Sequence, residues 1–299
     1  MYDIIIVGAG PAGLTAAIYA CRAAKSVLVL EAAAYGGQII NTPDIENYPV
    51  APHISGFAFA TKLYEQAKAL GAEIRFEKVT DVLDGAEKQV VTSKEVYPCR
   101  AVILATGSVP RKLGVKGETE LVGKGISYCA TCDGAFFRGR TVAVVGGGNT
   151  ALEDALYLSD LAEKVYLIHR RDAFRADGGS VEKIRARGNI ELVLNSTVTA
   201  LSADSRLQGV TVTDRAGESR TLAVNGLFVA VGRIPANRAF EKLVALDDAG
   251  YAVAGEDCRT GVPGVFVAGD NRTKDVRQLV TAAADGAVAA TAAVKYLEA

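Results

Sequence analysis

A strand, a glycine-rich turn and a helix follow one another twice in this chain, and few folds accommodate that pattern. Residues 4–7, Ile-Ile-Ile-Val, are a short continuous apolar run of the kind that forms a strand buried on both faces. Gly8-Ala9-Gly10-Pro11-Ala12-Gly13 comes next, then an alanine-rich run that predicts a helix to about residue 22 and a second strand over residues 27–31. In a dinucleotide-binding unit the first glycine allows the tight turn. The second lets a pyrophosphate approach the backbone, and the third lets helix and strand pack closely. The helix N-terminus then offers amides and the positive end of its dipole to the phosphates. Glu31, 18 residues beyond Gly13, is placed to accept hydrogen bonds from an adenosine ribose.

The second copy has an expected strand at residues 141–145, then Gly146-Gly147-Gly148-Asn149-Thr150-Ala151, a helix to about residue 161 and a strand at residues 165–168. Alanine in the third position is an accepted variant. The two turns begin 138 residues apart, and 299 residues suit about two domains, so two nucleotide sites are expected. The fold class is α/β, with two Rossmann-like, three-layer nucleotide-binding domains.

The copies differ where a ribose would be read. His169 stands 18 residues beyond Ala151, in the place that Glu31 holds in the first copy, and Arg170, Arg171 and Arg175 follow it. An acid there repels a 2′-phosphate, whereas arginines bind one through charge-assisted, often bidentate bonds. The first site should therefore prefer an unphosphorylated ribose, as in FAD, and the second NADPH over NADH. The alternative for the arginines is an ordinary solvated charge cluster.

Composition narrows the partners. With 49% hydrophobic and 22% charged residues the chain can bury a sizeable core. A net charge of −1 argues against nucleic acid as the main partner. The apolar start holds Asp3 and is interrupted by Gly8, Gly10 and Pro11, with no basic residues ahead of it. It does not read as an export signal, and a cytoplasmic location is expected. No stretch reaches about eighteen uninterrupted apolar residues, so no membrane span is expected.

Five cysteines in a reducing compartment do not suggest a disulfide framework. The pair in Cys129-Ala130-Thr131-Cys132, followed at once by Asp133, points instead to redox catalysis or metal binding. A structural zinc needs four ligands; no second Cys-x-x-Cys exists and the two histidines are scattered, so no metal site is expected. An inert buried pair is a third reading. Cys21, Cys99 and Cys258 stand alone and read as small buried hydrophobes, and His53 receives no role. A closely spaced dithiol between two nucleotide sites suggests a chain of carriers: nicotinamide, flavin, disulfide, external partner.

Together these features resemble the low-molecular-weight, bacterial-type thioredoxin reductases. The matching segments run through nearly the whole chain. They are the two glycine turns, Gly36-Gly37-Gln38, Glu46-Asn47-Tyr48-Pro49, Ala105-Thr106-Gly107, Tyr128-Cys129-Ala130-Thr131-Cys132-Asp133-Gly134, His169-Arg170-Arg171-Asp172 with Phe174-Arg175, Gly269-Asp270 and Arg277-Gln278. The resemblance implies a split FAD domain, residues 1–114 and 246–299, with an NADPH domain, residues 115–245, inserted into it. Sequence pattern agrees independently. A strand-like run at residues 101–104 leads to a connector at residues 112–116, and a second apolar run spans residues 224–232. The strand-like tail at residues 264–270 must find its partners elsewhere.

For FAD the resemblance implies Gly8, Gly10, Ala12, Gly13, Glu31, Ala32, Gly36, Gly37, Gln38, Asn47, Val79, Ala105, Thr106, Gly107, Gly269, Asp270, Arg277, Gln278 and Leu279. Gly269-Asp270 would face the ribityl and phosphate region, and Arg277-Gln278 would open a helix beneath the ring system. The alternative for Arg277 is an exposed helix cation. For NADPH it implies Gly146, Gly148, Asn149, Thr150, Ala151, His169, Arg170, Arg171, Arg175, Gly232 and Arg233. It also implies that Cys132 faces the flavin, that Cys129 exchanges with a partner disulfide, and that Asp133 protonates the departing thiolate. The lipoamide dehydrogenase type differs, keeping its dithiol in the FAD domain where this chain has Gly36-Gly37-Gln38.

The implied partner is thioredoxin, and the implied assembly a homodimer. Its alternatives are another small redoxin or a peroxiredoxin, and a redox sensor that does not turn over. The implied cycle needs the NADPH domain to rotate, with hinges expected near residues 112–118 and 243–248. Two stretches depart from the pattern: residues 50–56, with Val50, Ala51 and His53 where a glycine-containing loop is usual, and Asp177-Gly178-Gly179, which should loosen the following helix.

Overall fold

The structure, a computed structural model, describes all of residues 1–299 except Pro43, Ala86 and Asp177, so the expectation for Asp177 lies outside the described residues. The chain divides into two compact units, Met1–Val109 with Ile234–Ala299, and Pro110–Arg233. Elements follow in the order β1 (Tyr2–Val7), α1 (Pro11–Arg22), β2 (Val27–Glu31), α2 (Gly56–Ala69), β3 (Glu73–Phe76), β4 (Val79–Leu83), β5 (Lys88–Thr92), β6 (Val96–Leu104) and β7 (Ser108–Pro110). The second unit holds β8 (Ile126–Ser127), α3 (Ala130–Asp133), β9 (Thr141–Gly146), α4 (Asn149–Ser159), β10 (Lys164–Ile168), α5 (Gly178–Ala186), β11 (Ile190–Val193), β12 (Ser196–Ala203), β13 (Leu207–Asp214), β14 (Ser219–Ala223) and β15 (Gly226–Ala230). The chain returns through β16 (Arg233–Pro235) to β17 (Val265–Val267) and α6 (Leu279–Glu298).

In the first unit β3, β2, β1, β6 and β17 run parallel, and β6 also pairs through its first half with the antiparallel β4–β5 hairpin. The tail strand thus finds its partner in β6, with Val267 opposite Leu104. Alternate residues of β1 serve opposite faces. Ile4 and Ile6 pack toward the helical layer with Leu14, Ala17 and Ala289, while Ile5 and Val7 pack toward Val82, Tyr97, Phe240 and Val244. One outer layer is helical; the other is a hairpin and coil.

The second unit repeats the plan with a parallel sheet ordered β11-β10-β9-β15-β8. Val142, Val144 and Leu167 pack with Leu152 and Leu158 of α4 and Ile184 of α5. Ala143, Val145 and Leu227 pack with Val198, Val210 and Leu222 of the antiparallel β12–β14 sheet.

Both domain boundaries shift from the expected positions, to 109/110 and 233/234. Residues 112–118 belong to the second unit, where Glu118 accepts hydrogen bonds from the amides of Leu113 and Gly114 at 2.9 and 2.8 Å. Residues 243–248 belong to the first, where Val244 is buried in the sheet's core. Neither stretch is a loose connector. Among the described residues no helix is long and apolar enough to cross a membrane.

The helical layer depends on close approach of α6 to α1. A Cβ on Gly286 would lie 2.2 Å from the Ala12 carbonyl oxygen. Gly286→Ala is therefore expected to lower stability by about 1–3 kcal/mol through overpacking. Gly188→Ala, at a position with open space and no positive φ, is expected to change it by less than about 0.5 kcal/mol. Urea unfolding of both variants checks this, and equal midpoints would show that the two helices can part without cost.

Candidate functional site

Parallel strands bring the loops after their C-terminal ends to one edge, where open α/β sheets bind ligands. In the first unit the register sets Val7 beside Leu30 and Leu104, and Leu104 beside Val267. The turn at residues 8–13, the acid Glu31, the Ala105-Thr106-Gly107 turn and the Gly269-Asp270 turn therefore converge. Gly8 has φ +110°, and a Cβ there would meet the Ala105 carbonyl oxygen at 2.4 Å; one on Gly13 would meet the Gly8 carbonyl oxygen at 1.9 Å. Those two glycines are required by the protein's own packing.

Gly10 is different. Its backbone is extended (φ −77°, ψ −178°), and a Cβ would find only the Gly37 Cα, at 4.0 Å. Nothing in the fold asks for a glycine there; it leaves a bare opening at the N-terminus of α1. Gly148, before α4, has the same extended backbone (φ −100°, ψ 179°) and nothing within 4 Å of a Cβ. Both openings fit a dinucleotide pyrophosphate approaching a helix N-terminus.

Several expected residues gather around the first opening. Gly36 N–H donates to the Ala9 carbonyl at 2.7 Å, holding the Gly36-Gly37 turn against the glycine loop. Glu31 accepts from the amides of Ala9 and Ala33 at 2.8 and 3.0 Å, so its carboxylate is fixed beside the turn and beside Ala32. Asn47 Nδ2 donates to Gln278 Oε1 at 3.1 Å, and Gln278 caps α6 ahead of Leu279 in a capping box with Thr281. Arg277 is not an exposed cation: its guanidinium lies 4.1 Å from the Tyr251 ring centroid and its Nε is buried. Gln38 is exposed; Val79 is buried in the core with its side chain, leaving only its backbone to face a ligand.

Sequence reasoning missed what holds these loops. Asp285, an acid in the alanine-rich first half of α6, accepts from Gly269 N–H at 2.9 Å. It also binds Arg272 through both carboxylate oxygens (2.9 and 2.8 Å) and Lys274 at 2.9 Å. Burial alone would raise its pKa, but the bonds and charges of Arg272 and Lys274 hold it below the usual carboxylate range. Asn271 Nδ2 reaches the Leu104 carbonyl and Thr106 Oγ1, each at 3.1 Å, and Asn237 Nδ2 reaches the Asn271 carbonyl at 2.6 Å. The only sequence signal was polar residues of high burial cost standing in apolar stretches.

In the second unit Gly146 lies against both the Ala230 carbonyl and the Ala151 methyl, which a Cβ would approach to 2.4 and 2.5 Å. The alanine variant is accommodated by the first glycine of its own turn. Asn149 and Thr150 are exposed at the start of α4. Gly232 (φ +108°) and Arg233 follow β15 at the same edge, since Ala230 stands opposite Gly146. Arg170 and Arg175 are exposed and Arg171 half-buried. His169, expected with them at the nucleotide, is buried.

Cys129 and Cys132 form a disulfide, with Cα atoms 5.3 Å apart, across the short helix α3. Ser127 Oγ donates to Asp133 Oδ2 at 2.6 Å and accepts from Cys129 N–H at 3.0 Å, so one hydroxyl ties the acid to the redox turn. Burial raises the Asp133 pKa, and the Ser127 bond partly opposes it. Tyr128, the residue before the disulfide, donates to buried Glu118 at 2.8 Å. Cys99 and Cys258 are buried free thiols, each pushed up to about 12 chiefly by burial, and Cys21 is half-buried. His53 is exposed and bonds Asp44 at 3.2 Å, with Glu46 nearby, in a stretch where Val50 and His53 take positive φ.

The model of the pyridine nucleotide-disulphide oxidoreductase family matches residues 2–287. The chain is 44% identical over 301 residues to thioredoxin reductase of Listeria monocytogenes, covering 100% of this chain and 94% of the relative. It is 44% identical over 304 residues to that of Bacillus subtilis, covering 100% and 95%. The solved thioredoxin reductase of Streptococcus pyogenes superposes with a TM-score of 0.94 at 40% identity, covering 100% of this chain and 98% of that one.

Asp154, half-buried on α4, provides a pH test of the second unit. Burial, with Glu153 adding to it, pushes its carboxyl up to about 7. An unfolded aspartate titrates near 4, so the folded chain holds an extra proton between those values and loses stability as pH rises through them. Asp154→Asn is expected to be more stable than the wild type above about pH 7 and equal to it below about pH 4. Thermal melts across that range check the sign, and a pH-independent difference would contradict it.

Proposed function

Because this chain belongs to the pyridine nucleotide-disulphide oxidoreductase family, and within it to the thioredoxin reductases, we propose that it carries electrons from NADPH, through FAD and the Cys129–Cys132 disulfide, to the disulfide of thioredoxin. The observation that carries the reading is that disulfide, whose Cys129 amide is linked through the Ser127 hydroxyl to a half-buried acid, set in the same unit as the second glycine turn and its following arginines. Gly8, Gly10, Gly13, Glu31, Gly36, Gly37, Asn47, Ala105, Thr106, Gly107, Gly269, Asp270, Arg277 and Gln278 would hold FAD, which supplies a two-electron relay between nicotinamide and disulfide. Gly146, Gly148, Asn149, Thr150, Arg170, Arg171, Arg175, Gly232 and Arg233 would hold NADPH.

The protein's own groups handle the sulfur and the proton. Breaking the S–S bond takes two electrons, and the sulfur that leaves needs a proton. Asp133 lies in the same turn, and burial keeps its carboxyl protonated to higher pH than a free aspartate, so it can deliver that proton. Cys132 is assigned to the internal side and Cys129 to the external one. The Cys129 thiolate attacks the partner's disulfide and a mixed disulfide forms. The Cys132 thiolate then attacks Cys129, restoring the internal disulfide and releasing the partner as a dithiol. The same reading has the inserted unit turn between half-reactions, and it includes a homodimer in the cytoplasm.

NADPH oxidation by the purified protein, assayed with thioredoxin against a panel of other redoxins, tests the proposal. Thioredoxin is expected to be the fastest substrate and NADPH to outperform NADH. Cys132→Ser should lower turnover about a thousandfold or more, and Asp133→Asn about a hundredfold. Faster turnover with another redoxin would reassign the partner, and normal turnover in the Cys132→Ser protein would defeat the mechanism.

A further inference from the structure

We infer that His169 is a positioning residue that sets the cofactor preference of the second site: it clamps the arginine loop, residues 170–175, across the glycine turn and does not touch the nucleotide. The inference rests on the NADPH reading and assigns this histidine a different task from the arginines beside it.

The ring is enclosed by the protein. His169 is 8% exposed. A Cβ on Gly147 would lie 2.1 Å from His169 Cε1 and 2.2 Å from Nδ1, so the imidazole occupies the space that a side chain at Gly147 would fill. The Phe174 ring stacks on it at 5.3 Å between centroids with an interplanar angle of 21°, which closes that face. Nε2 lies 3.1 Å from the Ala173 carbonyl oxygen. A carbonyl only accepts, so Nε2 carries the proton and Nδ1 offers a lone pair. Burial, with Arg170, Arg171 and Arg175 adding to it, lowers the ring's pKa and keeps it neutral. A neutral ring whose one N–H is spent inward has neither charge nor donor for a phosphate.

What the ring does hold is the loop. Its two ends are fixed by β10 and by the Arg175 N–H, which donates to the Gly147 carbonyl at 2.7 Å. Between them the described tethers are the Asn195 N–H to the Arg171 carbonyl, at 3.2 Å, and the His169 ring with its Ala173 and Phe174 contacts. Among the described residues Arg170, Arg171 and Arg175 make no ion pair, and Arg170 and Arg175 are exposed. A loop ordered beforehand spares the entropy of fixing it when a ligand arrives. Only a ligand that uses the arginines gains from that, so loss of the clamp should weaken a 2′-phosphate selectively.

Calorimetric binding of adenosine 2′,5′-bisphosphate and of 5′-AMP to the FAD-loaded protein separates the possibilities without turnover. The wild type is expected to favour the bisphosphate. His169→Ala should cut that preference about tenfold, which corresponds to about 1.4 kcal/mol, with 5′-AMP affinity little changed. His169→Phe restores a ring against Gly147 and Phe174 and should keep the preference within about threefold of the wild type. If the alanine protein does not fold, His169→Asn serves as the truncation. An unchanged preference in the truncated protein overturns the inference, as does an equal loss for both ligands. A phenylalanine protein as impaired as the alanine one overturns it too, since that result means the imidazole nitrogen contacts the phosphate. A wild type without preference would instead bring down the NADPH reading itself.

Discussion

The structure depends first on how closely backbone can approach backbone at the C-terminal edge of a parallel sheet. In the first unit a side chain on Gly8 or Gly13 would collide with carbonyl oxygens, so both positions are fixed by packing before any ligand is considered. Gly10 is free of such constraint, so the fold's own packing does not account for a glycine there. The second unit solves the same problem with one methyl more. Ala151 fits because Gly146 has no Cβ to meet it, and Gly148 keeps the opening.

Holding the loops in place falls to buried polar groups. Arg272 is 1% exposed and Lys274 also keeps its side chain buried, with Asp285 the shared buried anion and Glu256 a solvent-exposed second partner of Arg272. Burying ions in this way rarely adds net stability, because desolvation offsets the attraction. Its effect here is positional: the carboxylate of Asp285 also takes the Gly269 amide, so the turn after β17 is tied to α6. Asn237 and Asn271, both fully buried, do the same for the turn after β6 through Thr106 and the Leu104 carbonyl. These buried polar side chains convert converging loops into a fixed cradle.

Much of this was legible in the sequence because it is local. The strand, turn and helix around Gly8 and around Gly146 are set by residues within about thirty positions of each other, and the disulfide joins residues three apart. What escaped is long-range. Asp285 meets Arg272 and Gly269 only after α6 docks on α1, and Asn237 meets Asn271 only after the chain has returned from the second unit. Residues 243–248, where a hinge is expected, lie inside the first unit for the same reason: Val244 packs with Phe240 and with Val82 and Val90 of the β4–β5 hairpin. For His169 the pattern does not say which way a ring turns, and in the structure the ring fills the space left by Gly147.

The redox turn shows the same division between position and environment. Cys129, Cys132 and Asp133 could be read directly, yet an aspartate in sequence says nothing of its proton affinity. Ser127 supplies the missing part. Its hydroxyl bonds one oxygen of Asp133 and accepts the Cys129 amide, which places the acid beside the sulfur chemistry and draws its pKa down while burial draws it up. Burial and hydrogen bonding thus act on Asp133 in opposite senses, burial being the larger, and the opposing bond comes from Ser127 of the buried strand β8, so the balance is built into the sheet.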